Sequence, residues 1–240
     1  INSWDQYKEL YNRSITDPEG FWAEQARKYL KWDKEWDFVL KYDFHEAKIE
    51  WFGGGRLNAS ANCLDRHMDT IKDKIAIYWE GDDPKDSKSY TYGDIYQQVN
   101  RFAAALKSKG VKKGDRVIIY LPMIIELPVA MLACARIGAI HSVVFGGFSS
   151  EAIANRITDC GAKLVITADG GYRAGKPVPL KKNVDAALDH CPGVDNVIVV
   201  NRTGADIQLD GKKEIWWADA VADPNLPDFV EPEPMDAEDP

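Results

Sequence analysis

The sequence lacks an excess of basic residues. Its 240 residues include 38 Asp and Glu against 30 Lys and Arg, a formal net charge of −8 at pH 7. That balance argues against a general binder of nucleic acid or of acidic membranes, because both require a positive surface. Any anion that this protein binds must therefore be held by a local cluster of basic side chains.

Long apolar runs are also missing. No stretch approaches the roughly 20 apolar residues that a membrane-spanning helix needs, because residues 117–148 are interrupted by Pro122, Glu126 and Arg136. We recognise no secretory signal, and the chain begins at Ile1 rather than at a methionine. We therefore expect no membrane partner and no nucleic-acid partner, and the start of the sequence leaves a missing N-terminus open.

Cysteine is scarce and widely spaced. The four cysteines are Cys63, Cys134, Cys160 and Cys191. Their spacing is typical of reduced thiols rather than of a disulfide framework, so we expect a cytoplasmic protein. Cys63 and His67 are four residues apart, but no second Cys/His pair completes a metal site. We predict no metal-ligating residues in this chain.

Aromatic residues are concentrated near the start. Five of the eight tryptophans precede residue 60, with helical spacing in the first 36 residues. Asp17 and Pro18 are typical of a helix N-cap and first helical position. We predict an aromatic-rich, mostly helical N-terminal extension over residues 1–66, whose aromatic rings pack it onto a larger body at 67–240.

From about Lys74 the pattern changes to alternating strands and helices. "KIAIYWEG" reads as a strand and "YTYG" as a turn before an amphipathic helix. Four further short apolar runs, "DRVIIYL", "IHSVVF", "KLVITA" and "VDNVIVVN", are separated by helices of about ten to sixteen residues. This alternation predicts an α/β fold with a doubly wound, mainly parallel sheet and flanking helices.

The last twenty residues, "VADPNLPDFVEPEPMDAEDP", contain five prolines, seven acidic residues and neither lysine nor arginine. Such a composition excludes a long helix and a central strand. We expect a surface crossover or a linker. A chain that ends in such a segment has the character of a truncated one.

The stretch "GGYRAGKPVP" combines glycines with two basic residues. Gly170, Gly175 and Lys176 match most of an ATP-type P-loop, but Pro177 stands where Ser or Thr is required. Proline offers neither a hydroxyl for Mg²⁺ nor a backbone N–H for phosphate, which rejects that motif. Arg173 and Lys176 still form a candidate anion site after a parallel strand, the usual ligand-binding edge of such sheets. The alternative is an ordinary solvated loop.

A second glycine-bearing segment, "FGGFSSEA", follows the preceding strand. Gly146 and Gly147 would let a flat adenine lie on the backbone beside Phe145, with Ser149 or Ser150 capping the next helix. The alternative is a simple tight turn. Neither a nucleophile elbow nor a dinucleotide fingerprint occurs in the sequence, so we predict no catalytic residue in this chain.

Five segments together carry a family resemblance over nearly the whole chain. They are "DPEGFWAEQA", "WFGGGRLNASANCLDRHM", "SYTYGDIYQQVNRFAAALKSKGVKKGDRVIIYLPMI", "ARIGAIHSVVFGGFSSEAIANRITDC" and "RAGKPVPLKKNVDAAL". With them the chain resembles the N-terminal part of the acetyl-CoA synthetases, which are AMP-forming members of the adenylate-forming superfamily. The block from Trp51 to Met68 indicates the acetyl/propionyl branch rather than long-chain ligases or luciferases.

The resemblance implies a two-step reaction for the full-length protein. ATP and acetate give acetyl-adenylate and diphosphate, and the CoA thiol then displaces AMP. The family's phosphate loop normally follows a segment like "MDAEDP", so the ATP and Mg²⁺ sites, the acyl pocket and the C-terminal domain are expected outside this chain. The missing C-terminal remainder of the same polypeptide would supply them, and we predict that this portion is inactive alone.

The resemblance also assigns an anion to the basic segment. In the family, the segment matching Arg173, Ala174, Gly175 and Lys176 binds CoA phosphate, and many members carry arginine where Lys176 stands. The segment matching Phe145, Gly146 and Gly147 lies beside the CoA adenine. We therefore predict a wall of a CoA nucleotide site, with the 3′-phosphate as the anion. A propionyl-CoA synthetase and a non-catalytic α/β binding or interaction module remain the alternatives.

Overall fold

A computed structural model describes residues 1–83 and 85–240. The helices are α1 (Trp4–Thr16), α2 (Pro18–Tyr29), α3 (Ala59–Cys63), α4 (Met68–Ile71), α5 (Tyr92–Ser108), α6 (Glu126–Arg136), α7 (Ser150–Cys160), α8 (Leu180–Leu188) and α9 (Trp217–Ala222), with a 3₁₀ turn at Asp65–His67. The strands are β1 (Phe38–Asp43), β2 (Lys48–Gly53), β3 (Arg56–Leu57), β4 (Ile75–Glu80), β5 (Ser87–Thr91), β6 (Arg116–Tyr120), β7 (Ile140–Val143), β8 (Leu164–Ala168), β9 (Gly171–Arg173), β10 (Lys176–Val178), β11 (Asn196–Val200), β12 (Glu214–Trp216) and β13 (Met235–Asp236).

The chain divides into two compact units. One unit comprises Ile1–Asn58 together with Pro234–Pro240, and the other comprises Ala59–Glu233. The boundary between the units therefore lies at 58/59, and the last seven residues belong to the first unit. The domain boundary at 66/67 stays a prediction.

The first unit begins with two helices, α1 and α2, and continues into the antiparallel hairpin β1–β2. Asp17 caps α2 as predicted, because its side chain accepts a hydrogen bond from the Gly20 N–H at 3.1 Å, and Pro18 opens the helix. Trp32, Trp36 and Phe52 pack ring against ring with centroids 4.9–5.4 Å apart. The N-terminal region is thus helical first, and its aromatic residues build a cluster within the unit.

A five-stranded sheet, all parallel, forms the centre of the second unit. Its order is β12-β11-β8-β6-β7, and it contains all four of the apolar runs named above. The prediction of a parallel α/β sheet with flanking helices is confirmed. Buried parallel strands are covered on both faces, which explains why β6, β8 and β11 read as continuous apolar runs. β12 escaped prediction because it has only three residues, all half-buried.

The strand predicted in "KIAIYWEG" forms, but outside the parallel sheet. It is β4, and it pairs antiparallel with β5 in a separate two-stranded hairpin. The expected turn at "YTYG" is wrong, since Ser87–Thr91 is a strand. Thr91 then caps α5 in a reciprocal capping box with Asp94.

The connections of the parallel sheet run in two directions. From β6 the chain passes through α6 to β7 at the edge, whereas α7 leads back across β6 to β8 and α8 continues to β11. Because such crossovers are right-handed, α6 covers one face and α7 with α8 the other. The chain thus leaves the neighbouring strands β6 and β8 in opposite directions, which opens a crevice at their carboxyl ends.

The acidic, proline-rich segment is more closely held than a linker. Its first residues complete α9, and Met235–Asp236 forms the short strand β13 with β3. Val230 is buried, and its N–H donates to the Asn100 side chain at 2.9 Å. Residues 223–233 are otherwise without helix or strand, in agreement with the predicted crossover.

A buried ion pair anchors this segment to the body of the second unit. The Arg136 side chain is fully buried and donates two hydrogen bonds to the Asp65 carboxylate, at 2.8 and 2.9 Å. Its Nε donates to the Val230 carbonyl at 2.6 Å. Removing one partner of such a pair leaves polar groups buried without compensation, which is strongly destabilising.

None of the helices in residues 1–83 and 85–240 combines the length and apolar character needed to cross a membrane. All four cysteines are free thiols in the structure.

We expect Arg136→Ala to lower the free energy of unfolding by about 3–5 kcal/mol, because it strands the Asp65 carboxylate and the Val230 carbonyl. Lys163→Ala is the control, since its ion pair with Asp115 spans 3.7 Å and the Lys163 side chain is 61% exposed. That change should cost less than about 1 kcal/mol. Urea denaturation measures both variants, and equal losses would contradict the account.

Candidate functional site

A cavity of about 250 Å³ lies at the carboxyl ends of β6 and β8, where the connections diverge. Its walls come from β4 and the turn after it, from the segments that follow β6 and β7, from the β9–β10 hairpin and from the end of β11. The lining residues are Trp79, Glu80, Gly81, Asp82, Pro122, Met123, Ile124, Phe145, Gly146, Gly147, Gly171, Tyr172, Arg173, Val178, Leu180 and Arg202. Four of the seven predicted site residues are among them.

The basic segment is a β-hairpin rather than the irregular loop expected from its glycines and prolines. β9 and β10 pair antiparallel, with Arg173 directly opposite Lys176 in the register. The two-residue turn between them has positive φ at both positions, 50° at Ala174 and 72° at Gly175. Positive φ at both central residues matches the right-handed twist of two-residue hairpins, and glycine adopts it without strain.

Arg173 lies against the second predicted segment. Its guanidinium carbon is 5.5 Å from the centroid of the Phe145 ring, a cation–π contact. A Cβ atom on Gly147 would lie 2.9 Å from Arg173 Nη1 and 2.8 Å from the Phe145 ring. A glycine at 147 is therefore what allows the arginine and the phenylalanine to approach each other. The structure brings these two predicted segments to the same edge of the sheet.

The remaining residues of the basic segment lie beyond the cavity lining. Ala174 and Gly175 form the hairpin turn, and the Gly175 N–H donates to Asp82 at 3.3 Å. Lys176 is exposed on β10 and does not line this cavity in the described part of the chain. The ligand-binding role of Arg173, Ala174, Gly175, Lys176, Phe145, Gly146 and Gly147 stays a prediction.

A buried tyrosine supports the diglycine segment from below. Tyr120, the last residue of β6, is fully buried, and its hydroxyl lies 3.0 Å from the Phe148 carbonyl and 3.3 Å from the Gly146 carbonyl. The hydroxyl also accepts a hydrogen bond from Asn183 of α8 at 3.2 Å. Ser149 then caps α7 through its contact with the Ala152 N–H. The segment beside Phe145 is thus fixed at both ends.

Sequence reasoning missed Arg202 and Trp79. The Arg202 guanidinium stacks between two rings, 5.1 Å from Trp79 and 5.5 Å from Tyr172, and pairs with Asp86 at 3.2 Å. Trp79 is fixed because its Nε1 donates to the Met123 carbonyl at 2.7 Å. The sequence did contain a signal for Arg202, because this basic residue lies two positions after the buried parallel strand β11, at the ligand-binding edge of such sheets. No signal existed for Trp79, because the sequence does not reveal where the β4–β5 hairpin packs.

A buried carboxylate organises the ends of β8 and β11. Asp169 is 2% exposed and accepts hydrogen bonds from the backbone N–H groups of Arg202, Thr203 and Ala205 at 2.7–3.0 Å. The Thr203 hydroxyl and the Gly170 N–H also donate to it. Burial by itself would raise the pKa of this carboxyl, but these hydrogen bonds outweigh burial and hold its pKa below the usual range.

In residues 1–83 and 85–240, no group of three or more His, Cys, Asp or Glu side chains is placed to hold a metal ion. His141, which is half-buried on β7, has a pKa lowered by burial and stands apart from the cavity lining.

Two family models match the chain. The model described as "AMP-binding enzyme" matches residues 64–240, and the one described as "Acetyl-coenzyme A synthetase N-terminus" matches residues 7–63. The first covers well over half of the chain. The chain therefore belongs to the AMP-binding enzyme family, with an acetyl-coenzyme A synthetase type of N-terminal segment.

Similar curated proteins are acetyl-coenzyme A synthetases. That of Halorhodospira halophila is 54% identical over 240 residues, covering 99% of this chain and 37% of the relative. Those of Alkalilimnicola ehrlichii and Leptospira biflexa are 55% and 56% identical, covering 98% and 99% of this chain and 36% and 37% of the relatives. This chain thus spans about 37% of the length of the curated relatives it matches.

A solved structure with the same fold is the acetoacetyl-CoA synthetase from Streptomyces lividans. It superposes with a TM-score of 0.83 at 24% sequence identity, covering 96% of this chain and 34% of that one. At that identity the likeness concerns the fold.

The Asp169 carboxylate gives a pH-dependent prediction. Because its folded-state pKa lies below that of the unfolded chain, its stabilising contribution is full above about pH 4 and is lost as pH falls through the lowered pKa. Asp169→Asn should lower the free energy of unfolding by about 2–3 kcal/mol at pH 7, since an amide cannot accept all these hydrogen bonds. The difference in free energy of unfolding between Asp169→Asn and the parent protein should become smaller below about pH 4.

Denaturation midpoints between pH 3 and pH 7 measure this effect. Asp195→Asn is the matched control, because Asp195 is exposed and its removal changes the net charge equally. A stability difference for Asp169→Asn that stays constant down to pH 3 would contradict the assignment.

Proposed function

We propose that this chain is part of an AMP-forming acetyl-CoA synthetase, which converts ATP, acetate and CoA into acetyl-CoA, AMP and diphosphate through an acetyl-adenylate. The relatives that match almost the whole chain at 54–56% identity support this activity. The family model described as "Acetyl-coenzyme A synthetase N-terminus", which matches residues 7–63, also supports it. Within that enzyme, this portion contributes a wall of the CoA nucleotide site.

The observation that carries the site is the contact between Arg173 and Phe145 at the carboxyl-end edge of the parallel sheet. An adenine ring needs a flat surface without side chains, which Gly146 and Gly147 provide beside the Phe145 ring. A phosphate needs a cation that can form two parallel hydrogen bonds, which the Arg173 guanidinium provides. The two requirements of a CoA nucleotide are therefore met by adjoining segments.

The basic side chains of the β9–β10 hairpin fit that assignment. Among residues 1–83 and 85–240, the contact of the Arg173 guanidinium is with the Phe145 ring and not with a carboxylate, so its N–H donors are available for a phosphate. Lys176 adds positive charge across the hairpin, as a point charge without the geometry of a second arginine.

The adenylation half of the reaction involves parts of the full-length polypeptide outside this chain. ATP with Mg²⁺ and the acetate would bind there, and Mg²⁺ would supply charge neutralisation of the phosphates when bound. The role of these 240 residues is to orient the CoA nucleotide so that its thiol reaches the acyl group. By this proposal the chain is inactive without the remainder of the polypeptide.

The first test removes the arginine. In the full-length polypeptide, Arg173→Ala should weaken CoA binding by about 1–3 kcal/mol, roughly ten- to a hundredfold, because a charged hydrogen-bond partner of a phosphate is lost. Isothermal titration calorimetry with CoA measures the effect. Lys212→Ala, an exposed basic residue on another turn, is the control and should bind CoA as the parent protein does. An unchanged CoA affinity for Arg173→Ala would end the site assignment.

The second test addresses the chain by itself. Residues 1–240, purified free of host synthetases, should give no acetate-dependent exchange between ATP and diphosphate, because the groups that hold the ATP phosphates are proposed to lie elsewhere. The full-length polypeptide assayed in parallel should exchange readily. Robust exchange by the 240-residue chain would show that the ATP site has been misassigned.

A further inference from the structure

A second arginine lines the same cavity, and nothing in the proposed function uses it. Arg202 follows β11, the strand adjacent to β8, whereas Arg173 lies on the hairpin that follows β8. Each guanidinium rests on an aromatic ring: Arg173 on Phe145, and Arg202 between Trp79 and Tyr172. An acidic chain with a net charge of −8 thus places two ring-supported arginines in one crevice, whose lining also includes Glu80 and Asp82.

The Arg202 guanidinium has unused hydrogen-bonding capacity. Its side chain is 25% exposed, and among the described residues its hydrogen bond is the one that Nη2 donates to Asp86 at 3.2 Å. A guanidinium carries five N–H donors, and contacts with two aromatic rings require none of them. The Arg202 side chain therefore has donors available for an oxyanion.

The backbone of Arg202 is equally well fixed. Its N–H donates to the buried Asp169 carboxylate at 2.7 Å, and the next turn is tied to the same group through Thr203 and Ala205. A residue held at its backbone and stacked at its side chain loses little conformational entropy when it binds a ligand.

Arg202 and Arg173 contact different aromatic rings of the cavity lining. Tyr172 and Arg173 are consecutive residues of β9, so their side chains point to opposite faces of that strand. Arg202 stacks on Tyr172, whereas Arg173 stacks on Phe145. Two separated guanidinium groups match a ligand with two separated phosphates better than one phosphate gripped twice.

We propose that Arg202 is a second anion-binding residue of this cavity and contacts a phosphate other than the one that Arg173 holds. The ligand is then a nucleotide phosphorylated at two separate positions. This inference rests on the proposed function, in which the ligand is CoA. Its nucleotide carries a 3′-phosphate and a 5′-diphosphate, and the diphosphate is the group assigned to Arg202.

Asp86 acts as a carboxylate that occupies Arg202 until a ligand arrives. The Asp86 side chain is 39% exposed and meets the guanidinium through a single contact. A diphosphate has a higher charge and more acceptor oxygens, so it displaces the carboxylate and takes over the hydrogen bonds. Loss of the Asp86 charge therefore favours ligand binding, an effect that a purely structural ion pair would not produce.

The experiment compares CoA with dephospho-CoA, which lacks the 3′-phosphate, by calorimetry on the full-length polypeptide. Arg202→Ala should weaken both ligands by the same factor, about tenfold. Arg173→Ala should weaken CoA and leave dephospho-CoA unchanged. Asp86→Asn should strengthen both ligands by up to about fivefold, the range expected for an exposed ion pair. Lys212→Ala is the control and should change neither affinity.

Each outcome decides between the assignments. If the Arg202→Ala variant binds CoA with the affinity of the parent protein, the second anion site is overturned. It is also overturned if Arg202→Ala weakens CoA but not dephospho-CoA, because both arginines would then hold the 3′-phosphate. If Arg202→Ala fails to fold, Asp86→Asn remains informative, because it removes a surface charge and no packing. An affinity of Asp86→Asn for CoA and dephospho-CoA that is unchanged or weaker overturns the inference. If Arg173→Ala binds CoA with the affinity of the parent protein, the proposed CoA nucleotide site fails instead, irrespective of the result for Arg202→Ala.

Discussion

The opposite directions in which the chain leaves β6 and β8 determine where this protein can bind a ligand. Two neighbouring parallel strands whose crossovers cover different faces of the sheet cannot be closed over at their carboxyl ends. The crevice that results is lined by the segments that follow β6, β7 and β8, and those after β7 and β8 carry Phe145 and Arg173. The buried apolar strands are the cause of this geometry, because their continuous hydrophobic faces require helices on both sides.

Within that crevice, the chemistry depends on arginines supported by aromatic rings. Arg173 on Phe145 and Arg202 on Trp79 are held in place by ring faces, so their N–H groups remain available. The buried Asp169 carboxylate fixes the backbone that carries Arg202, and the Tyr120 hydroxyl fixes the carbonyls beside Phe145. By our proposal, these arginines supply the local positive charge for a phosphorylated ligand in a chain of net negative charge.

The sequence predicted the parallel strands because buried runs such as Val117–Tyr120 have no other stable location than a covered sheet. It also predicted that Arg173 and Phe145 share an edge, since the carboxyl ends of parallel strands do. The hairpin at Arg173 was not predicted, because its glycines and prolines are equally typical of irregular loops. Trp79 reaches the cavity through the packing of a separate β-hairpin, a tertiary contact that no local pattern of residues encodes.

A structure of the full-length polypeptide with CoA bound would test the central claim directly. The account predicts the adenine against Phe145, Gly146 and Gly147, with the 3′-phosphate within hydrogen-bond distance of the Arg173 guanidinium. Electron density for the nucleotide at another edge of the sheet, with the crevice between β6 and β8 filled only by solvent, would contradict it.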